Sequence, residues 1–290
     1  MALVNVGSGQ LSVAVNTLGA ELFSIKTPDG AEWLWQGDAK YWNGRAPILF
    51  PVVGRTPDGY ITVNGTEYPI GNHGFARTST FDVVEQSEGR VRLRIADSDE
   101  TRVSFPFAFR LDLVFSVEGA TLTARAEVTN TGTVRMPFSF GYHPAFHWPL
   151  PGGASKTYWL TLPDGEEPPT MRLGEKLVLA PKSEPSMFSK GLYQPRAGDF
   201  VRDAIIIEKI AGSSIVFGVD GGPDVTVGWQ GLDSLGIWQK PGAPYLCIEP
   251  WQGLPPWVGG SVELEDRPGS VTLAPGAMRA FTMTITPRRA

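Results

Sequence analysis

Glu249, His143 and His73 have the side chains and the local settings for acid–base chemistry. Glu249 follows the apolar run Tyr245-Leu246-Cys247-Ile248 and precedes Pro250-Trp251-Gln252-Gly253. Strand alternation puts Tyr245, Cys247 and Glu249 on one face and Leu246 and Ile248 on the other. A carboxylate ending an apolar strand beside Trp251 loses part of its hydration. Its pKa then rises toward what a base working at neutral pH requires. A carboxylate paired with an arginine for structural reasons suits the same context. His143 closes the segment Ser139-Phe140-Gly141-Tyr142-His143, where the following Pro144 terminates a strand. His73 lies in the loop Gly71-Asn72-His73-Gly74-Phe75-Ala76-Arg77, ahead of a strand expected over 78–84. Among aromatic and glycine neighbours an imidazole acts as donor or general acid, or as a hydrogen-bonded structural group.

Other polar residues stand at the ends of apolar runs. Arg55 follows Phe50-Pro51-Val52-Val53-Gly54 and suits either a donor to ligand hydroxyls or a surface cation. Asp203 precedes Ala204-Ile205-Ile206-Ile207 and reads equally as a turn residue. His143-x-x-x-His147 imitates the spacing of two metal ligands on a helix. Pro144 inside that window argues against the helix, no cysteine lies nearby in sequence, and no metal is expected. Nine tryptophans and fifteen phenylalanines bias the reading toward a carbohydrate ligand, although most of them must be core. Pyranose rings present apolar C–H faces to aromatic planes, while their hydroxyls need polar partners. Trp148, Trp251 and Trp257 occupy loop-like contexts and are the expected pocket aromatics.

These residues must be held by strands. In Thr121–Thr129 the even positions are apolar and the odd ones polar, and Arg90–Ile95 and Phe281–Thr286 repeat the pattern. Turn dipeptides separate such runs: Asp29-Gly30, Asp58-Gly59, Asn64-Gly65, Glu88-Gly89, Glu118-Gly119 and Asp220-Gly221. The 34 glycines and 25 prolines are spread without a period, as turn punctuation between many short strands requires. Helical periodicity is confined to expected single turns at 39–42 and 255–258. An all-β, antiparallel sandwich or barrel with very little helix follows. Residues 149–199, rich in Pro, Gly, Lys and Glu, read as long loops with short strands covering one side, so 1–290 is expected to be a single domain.

Charge and composition exclude several classes. The net charge is −5 and the 25 Lys and Arg form no basic stripe, which argues against nucleic acid as a partner. No window approaches the roughly 20 apolar residues of a membrane-spanning helix. Cys247 is the single cysteine, so no intramolecular disulfide can form; with no secretory signal visible at the N-terminus, a cytoplasmic address is expected. Walker-type phosphate loops and G-x-S-x-G elbows are missing.

Taken together, the motifs resemble the aldose 1-epimerase (mutarotase) family. Arg55-Thr56-Pro57-Asp58-Gly59 with its following hairpin through Tyr68 looks like that family's arginine segment. His73-Gly74 and Tyr142-His143 match its two histidine motifs. Asp203-Ala204 resembles its substrate-binding aspartate, and Cys247-Ile248-Glu249 its catalytic glutamate. The resemblance implies a β-supersandwich fold. It also implies Glu249 as general base on the anomeric hydroxyl and His143 as general acid on the ring oxygen. His73, Arg55 and Asp203 would bind the substrate, and no cofactor would be needed; Trp251 is a further binding candidate from its own context, and Arg77 suits either a substrate phosphate or an acidic neighbour. The chain departs from the galactose branch, where asparagine precedes both the arginine and the second histidine; here Gly54 and Tyr142 stand instead. With Arg77 close to His73, it looks more like bacterial relatives of varied substrate, including those acting on hexose 6-phosphates. The expected partner is a small sugar or sugar phosphate, with no oligomeric state implied. Two alternatives are a glycoside hydrolase using Glu249 and Asp203 and a non-catalytic sugar sensor.

Overall fold

Apolar alternation along Thr121–Asn130 buries Leu122, Ala124, Ala126 and Val128 completely, and this strand is central to the larger of two facing sheets. The computed structural model describes residues 2–154 and 156–289. The larger sheet has nine strands, running from Leu192–Tyr193 at one edge to Asp82–Ser87 at the other. Its middle is formed by Thr121–Asn130 between Phe109–Glu118 and Met278–Arg288, all antiparallel. Burial of each large apolar side chain contributes about 1.5–3 kcal/mol, so the period-2 pattern fixes which face turns inward.

The second sheet carries Glu249 and flanks His143. Its order is Ile205–Ile207, Ser234–Trp238, Tyr245–Gln252, Phe140–Tyr142, Ile48–Leu49, and Ala145–His147 also pairs with Tyr245–Gln252. Leu246, Ile248, Phe140 and Tyr142 face the nine-stranded sheet, where the Phe140 and Phe281 rings stack at 5.0 Å. On its opposite face Leu49, Ile206 and Trp251 form a small cluster with Met171 and Leu179, and Tyr245 and Cys247 form another with Trp35 and Ala145. The sheet is thus covered on both faces, and every residue of Tyr245–Gln252 is buried.

The expectation of an all-β antiparallel supersandwich with very little helix agrees with this architecture. The segment 149–199 adds Trp159–Thr161 and Leu192–Tyr193 to the nine-stranded sheet, then crosses the second sheet through the Met171–Ile206 pairing. Three local expectations are corrected. Residues 39–42 form a hydrogen-bonded turn capped by Asp38, and 255–258 run extended against Leu179, so neither is helical. The α-helical turn lies at Asp99–Arg102, where Ser98 and Thr101 make a capping box. The strand expected over 78–84 begins only at Asp82. Before it Ala76–Thr78 forms a 3₁₀ turn, whose Ala76 N–H, like that of Phe75, donates to the Phe50 carbonyl. At Asn64-Gly65 both residues have positive φ, 50° and 76°, as a tight hairpin turn requires.

Candidate active site

Register places His143 across from Glu249. Gly141 pairs with Trp251 and Ala145 with Cys247 on the same strand, so the residue midway, His143, falls opposite Glu249. Directly opposed residues share a face and bring their side chains together. Pro144 breaks the flanking strand there, while its carbonyl still accepts from the Ile248 N–H. The outcome is a contact of 3.2 Å between His143 Nε2 and Glu249 Oε2. Glu249 is 1% exposed and His143 8%. The two atoms touch but are not aligned as a hydrogen bond, and both Glu249 Oε2 and His143 Nδ1 are buried without a hydrogen-bond partner among the described residues.

Burial sets the electrostatics of this pair. Desolvation, reinforced by the negative charge of Asp203, pushes the Glu249 carboxyl well above the ordinary glutamate range. The same desolvation drives the His143 imidazole down to about 3. Each shift opposes charge on its own group. A single proton held by the pair leaves it neutral overall whichever partner carries it.

His73 is fixed by a different device. The segment 50–54 and the His73 loop are stitched together: Phe50 N–H donates to His73 O, and His73 N–H donates to Gly54 O. Gly54 N–H then donates to His73 Nδ1 at 3.1 Å. With Nδ1 accepting, the neutral ring carries its proton on Nε2. Burial, the His143 ring and the nearby Arg77, Arg55 and Arg267 all hold His73 well below the usual histidine range. Both His73 and Gly74 are left-handed, with φ of 63° and 72°. A Cβ at Gly74 would lie 2.1 Å from the Phe50 carbonyl oxygen, so glycine is required for the two segments to approach.

A cavity of about 290 Å³ is lined by Glu249, His143, His73, Arg55, Arg77, Asp203 and Trp251 together. That volume is at the lower end of the roughly 300–1,000 Å³ of small-molecule sites. Asp203 enters from the turn before Ile205–Ile207 with φ of 65°, its Oδ1 accepting from Ala204 N–H at 2.7 Å. Burial raises the Asp203 pKa, against the Ala204 bond and the charge of Arg55. Arg55 and Arg77 have no ion-pair partner among the described residues.

The remaining sequence expectations meet this geometry unevenly. His147 stands in the strand Ala145–His147, in keeping with the argument from Pro144 against a helix, and packs edge-on to Trp35 away from the cavity. The helix-like spacing with His143 therefore has no physical meaning. Trp148 packs on Tyr158 and Phe217, and Trp257 against the Leu179 cluster; neither lines the cavity. Trp42 and Trp238 do. Trp42 is tilted over His143 at 5.0 Å, and Trp238 meets the same ring edge-on at 5.8 Å. Trp42 sits in a polar loop and Trp238 at a strand end, contexts no different from those of the three tryptophans chosen from sequence. Gly54 and Tyr142, the departures from the galactose branch, are also placed. Gly54 offers its N–H to His73. The Tyr142 hydroxyl points away from the cavity, 3.0 Å from the Ala124 and Phe281 carbonyls in the core.

The family model described as aldose 1-epimerase matches residues 2–286. The chain belongs to the aldose 1-epimerase family. Protein LacX (plasmid) of Lactococcus lactis subsp. lactis is 30% identical over 95% of this chain and 96% of its own. A galactose mutarotase related enzyme from Lactobacillus acidophilus superposes with a TM-score of 0.94 at 26% identity, over 99% of this chain and 97% of that one. A galactose mutarotase-like protein from Lactobacillus casei gives 0.90 at 25% identity, over 99% and 100%. Membership in the aldose 1-epimerase family supports a mutarotase function and sugar substrates. Among the described residues no helix is long and apolar enough to cross a membrane.

Proposed function

We propose that this chain catalyses interconversion of the α and β anomers of an aldose by acid–base ring opening. The observation that carries the reading is the buried 3.2 Å contact of Glu249 with His143 on the wall of a sugar-sized cavity. Ring opening needs one group to take the proton from the anomeric hydroxyl and another to protonate the ring oxygen. Glu249 as carboxylate takes the first; His143 as imidazolium supplies the second. The C1–ring oxygen bond breaks, its electron pair goes to the ring oxygen, and C1 becomes an aldehyde. Rotation about C1–C2 presents the other carbonyl face. Reclosure returns the proton from the ring hydroxyl to His143 and that on Glu249 to O1. The reactive carboxylate–imidazolium arrangement carries the same single proton as the neutral one, so proton transfer within the pair readies the site without exchange with solvent.

His73 presents an Nε2–H donor to the substrate oxygens, Asp203 accepts from a hydroxyl, and Trp251 offers an apolar surface to the ring. Arg55 and Arg77, two cations on the wall without an ion-pair partner among the described residues, favour a substrate bearing a phosphate, since charge-assisted bonds to phosphate are the strong ones. A single domain over 1–290 goes with this reading, supported by one core cluster that draws on residues from Val4 to Ile285. The unpaired Cys247 suits a cytoplasmic address.

The test is NMR or polarimetry of freshly dissolved α-glucose, α-galactose and glucose 6-phosphate. Wild type is expected to accelerate equilibration, and Glu249→Gln to lose about 10²–10⁴-fold while remaining folded. Arg77→Ala is expected to raise KM for glucose 6-phosphate about tenfold or more and leave the free sugars unaffected. Sugar binding by a wild type that accelerates none of the three would replace catalysis with the sensor reading.

A further inference from the structure

Cys247 has no part in the chemistry above, yet its thiol sits beside the reacting pair. Tyr245, Cys247 and Glu249 lie on one face of the strand, and Cys247 is fully buried. Its Sγ, a ring nitrogen of His143 and a carboxylate oxygen of Glu249 lie within 4.8 Å of one another. We propose that His143, Cys247 and Glu249 form a binding site for a thiophilic divalent cation, Zn²⁺ above all, and that its occupation shuts off the anomerase.

The donor set is the first argument. Imidazole, thiolate and carboxylate are the three ligand types zinc uses, and three protein ligands leave a fourth position open toward the cavity. Thiolate and imidazole select against Mg²⁺ and Ca²⁺, which prefer oxygen alone. Geometry is the second. Tetrahedral bonds of zinc length separate neighbouring donors by about 3.3–3.8 Å. The His143–Glu249 pair is already 3.2 Å apart, so the sulfur needs to close by about 1 Å. The third is the unspent polarity of the site. Glu249 Oε2 and His143 Nδ1 are buried without hydrogen-bond partners among the described residues, and Glu249 Oε2 is not aligned on the imidazole it touches. Entry is open, because Glu249 and His143 line the cavity.

Zinc there would engage the atoms that carry the two protons of ring opening. The inhibitory consequence rests on the mutarotase reading; the binding does not. Isothermal calorimetry with ZnCl₂ on the purified protein is expected to show one ion bound, with MgCl₂ giving no heat of binding. Zinc is expected to suppress anomer interconversion in proportion to occupancy, with recovery on chelation. Cys247→Ser and Cys247→Ala, checked for folding by thermal melting, are expected to keep activity within about twofold of wild type. Both should bind zinc at least about tenfold more weakly. His147→Ala, which changes the histidine outside the set, is expected to bind as wild type does. Wild-type protein that binds no zinc, or folded Cys247 variants that bind it unchanged, would overturn the site. Zinc uptake by a wild type that accelerates no sugar supports the site and removes the mutarotase reading.

Discussion

At the scale of single residues, burial opposes charge on two histidines and a glutamate. A second proton on the pair must go to His143, whose imidazole is held down at about 3 by burial. Loss of the single proton is delayed because burial holds the Glu249 carboxyl well above its ordinary range. The acid limb of kcat/KM is therefore displaced downward and the basic limb upward. We expect a profile with no acid limb at the ordinary histidine value near 6.5. His73 adds none, since protonating Nδ1 would break its bond from the Gly54 N–H. A limb near 6.5 that vanished in His143→Asn or His73→Asn would show that these imidazoles titrate as exposed ones do.

Among the elements, the strand Tyr245–Gln252 organises the centre. It presents Glu249 to His143 on one neighbour, while Gly236 opposes Glu249 on the other. That glycine leaves space for an aromatic: a Cβ there would lie 2.6 Å from the Trp251 ring, and one at Gly141 would also lie 2.6 Å from it. The indole fits a slot between two glycines of flanking strands. Gly236→Ala is expected to cost about 1–3 kcal/mol through overpacking and to displace Trp251 from the cavity wall. Thermal melting and the anomerisation rate should fall together. Adding Trp251→Phe to Gly236→Ala should restore part of the stability, because the two positions share one clash. If Gly236→Ala costs the same in the wild-type and Trp251→Phe backgrounds, the cost lies in the backbone instead.

For the whole molecule, burial of these groups links stability to pH. An unfolded chain takes up protons on His73 and His143 as pH drops through 6.5, whereas in the folded chain burial holds His73 well below the usual histidine range and His143 down to about 3. Each histidine therefore lowers stability as pH falls below 6.5. Glu249 acts oppositely: its folded pKa is raised, so its contribution is present below the ordinary value of 4.5 and lost as pH rises. Denaturant titrations between pH 5 and about 7 should show a steeper acid loss in Glu249→Gln than in wild type, by up to about 1.4 kcal/mol per pH unit. Equal slopes would mean that Glu249 is ionised in the folded protein.

Much of this was legible along the chain. Period-2 alternation determined the strands at Thr121–Asn130, Arg90–Ala96 and Met278–Arg288, because burying one face demands it. The ordered short motifs around Arg55, His73, His143, Asp203 and Glu249 identified the family, since each keeps its residue types next to a turn or strand end. Where alternation was weak, tertiary contacts decided: Phe50 shaped the turn at Ala76–Thr78. Choosing Trp42 and Trp238 over Trp148 and Trp257 was likewise tertiary, because local context does not say which face of a sheet is covered. Sequence by itself supplied the histidine and the glutamate proposed as acid and base, together with the strands that flank or carry them. Only the antiparallel register, set by pairs far apart in the chain, brought His143 to 3.2 Å from Glu249 and laid the thiol of Cys247 beside them.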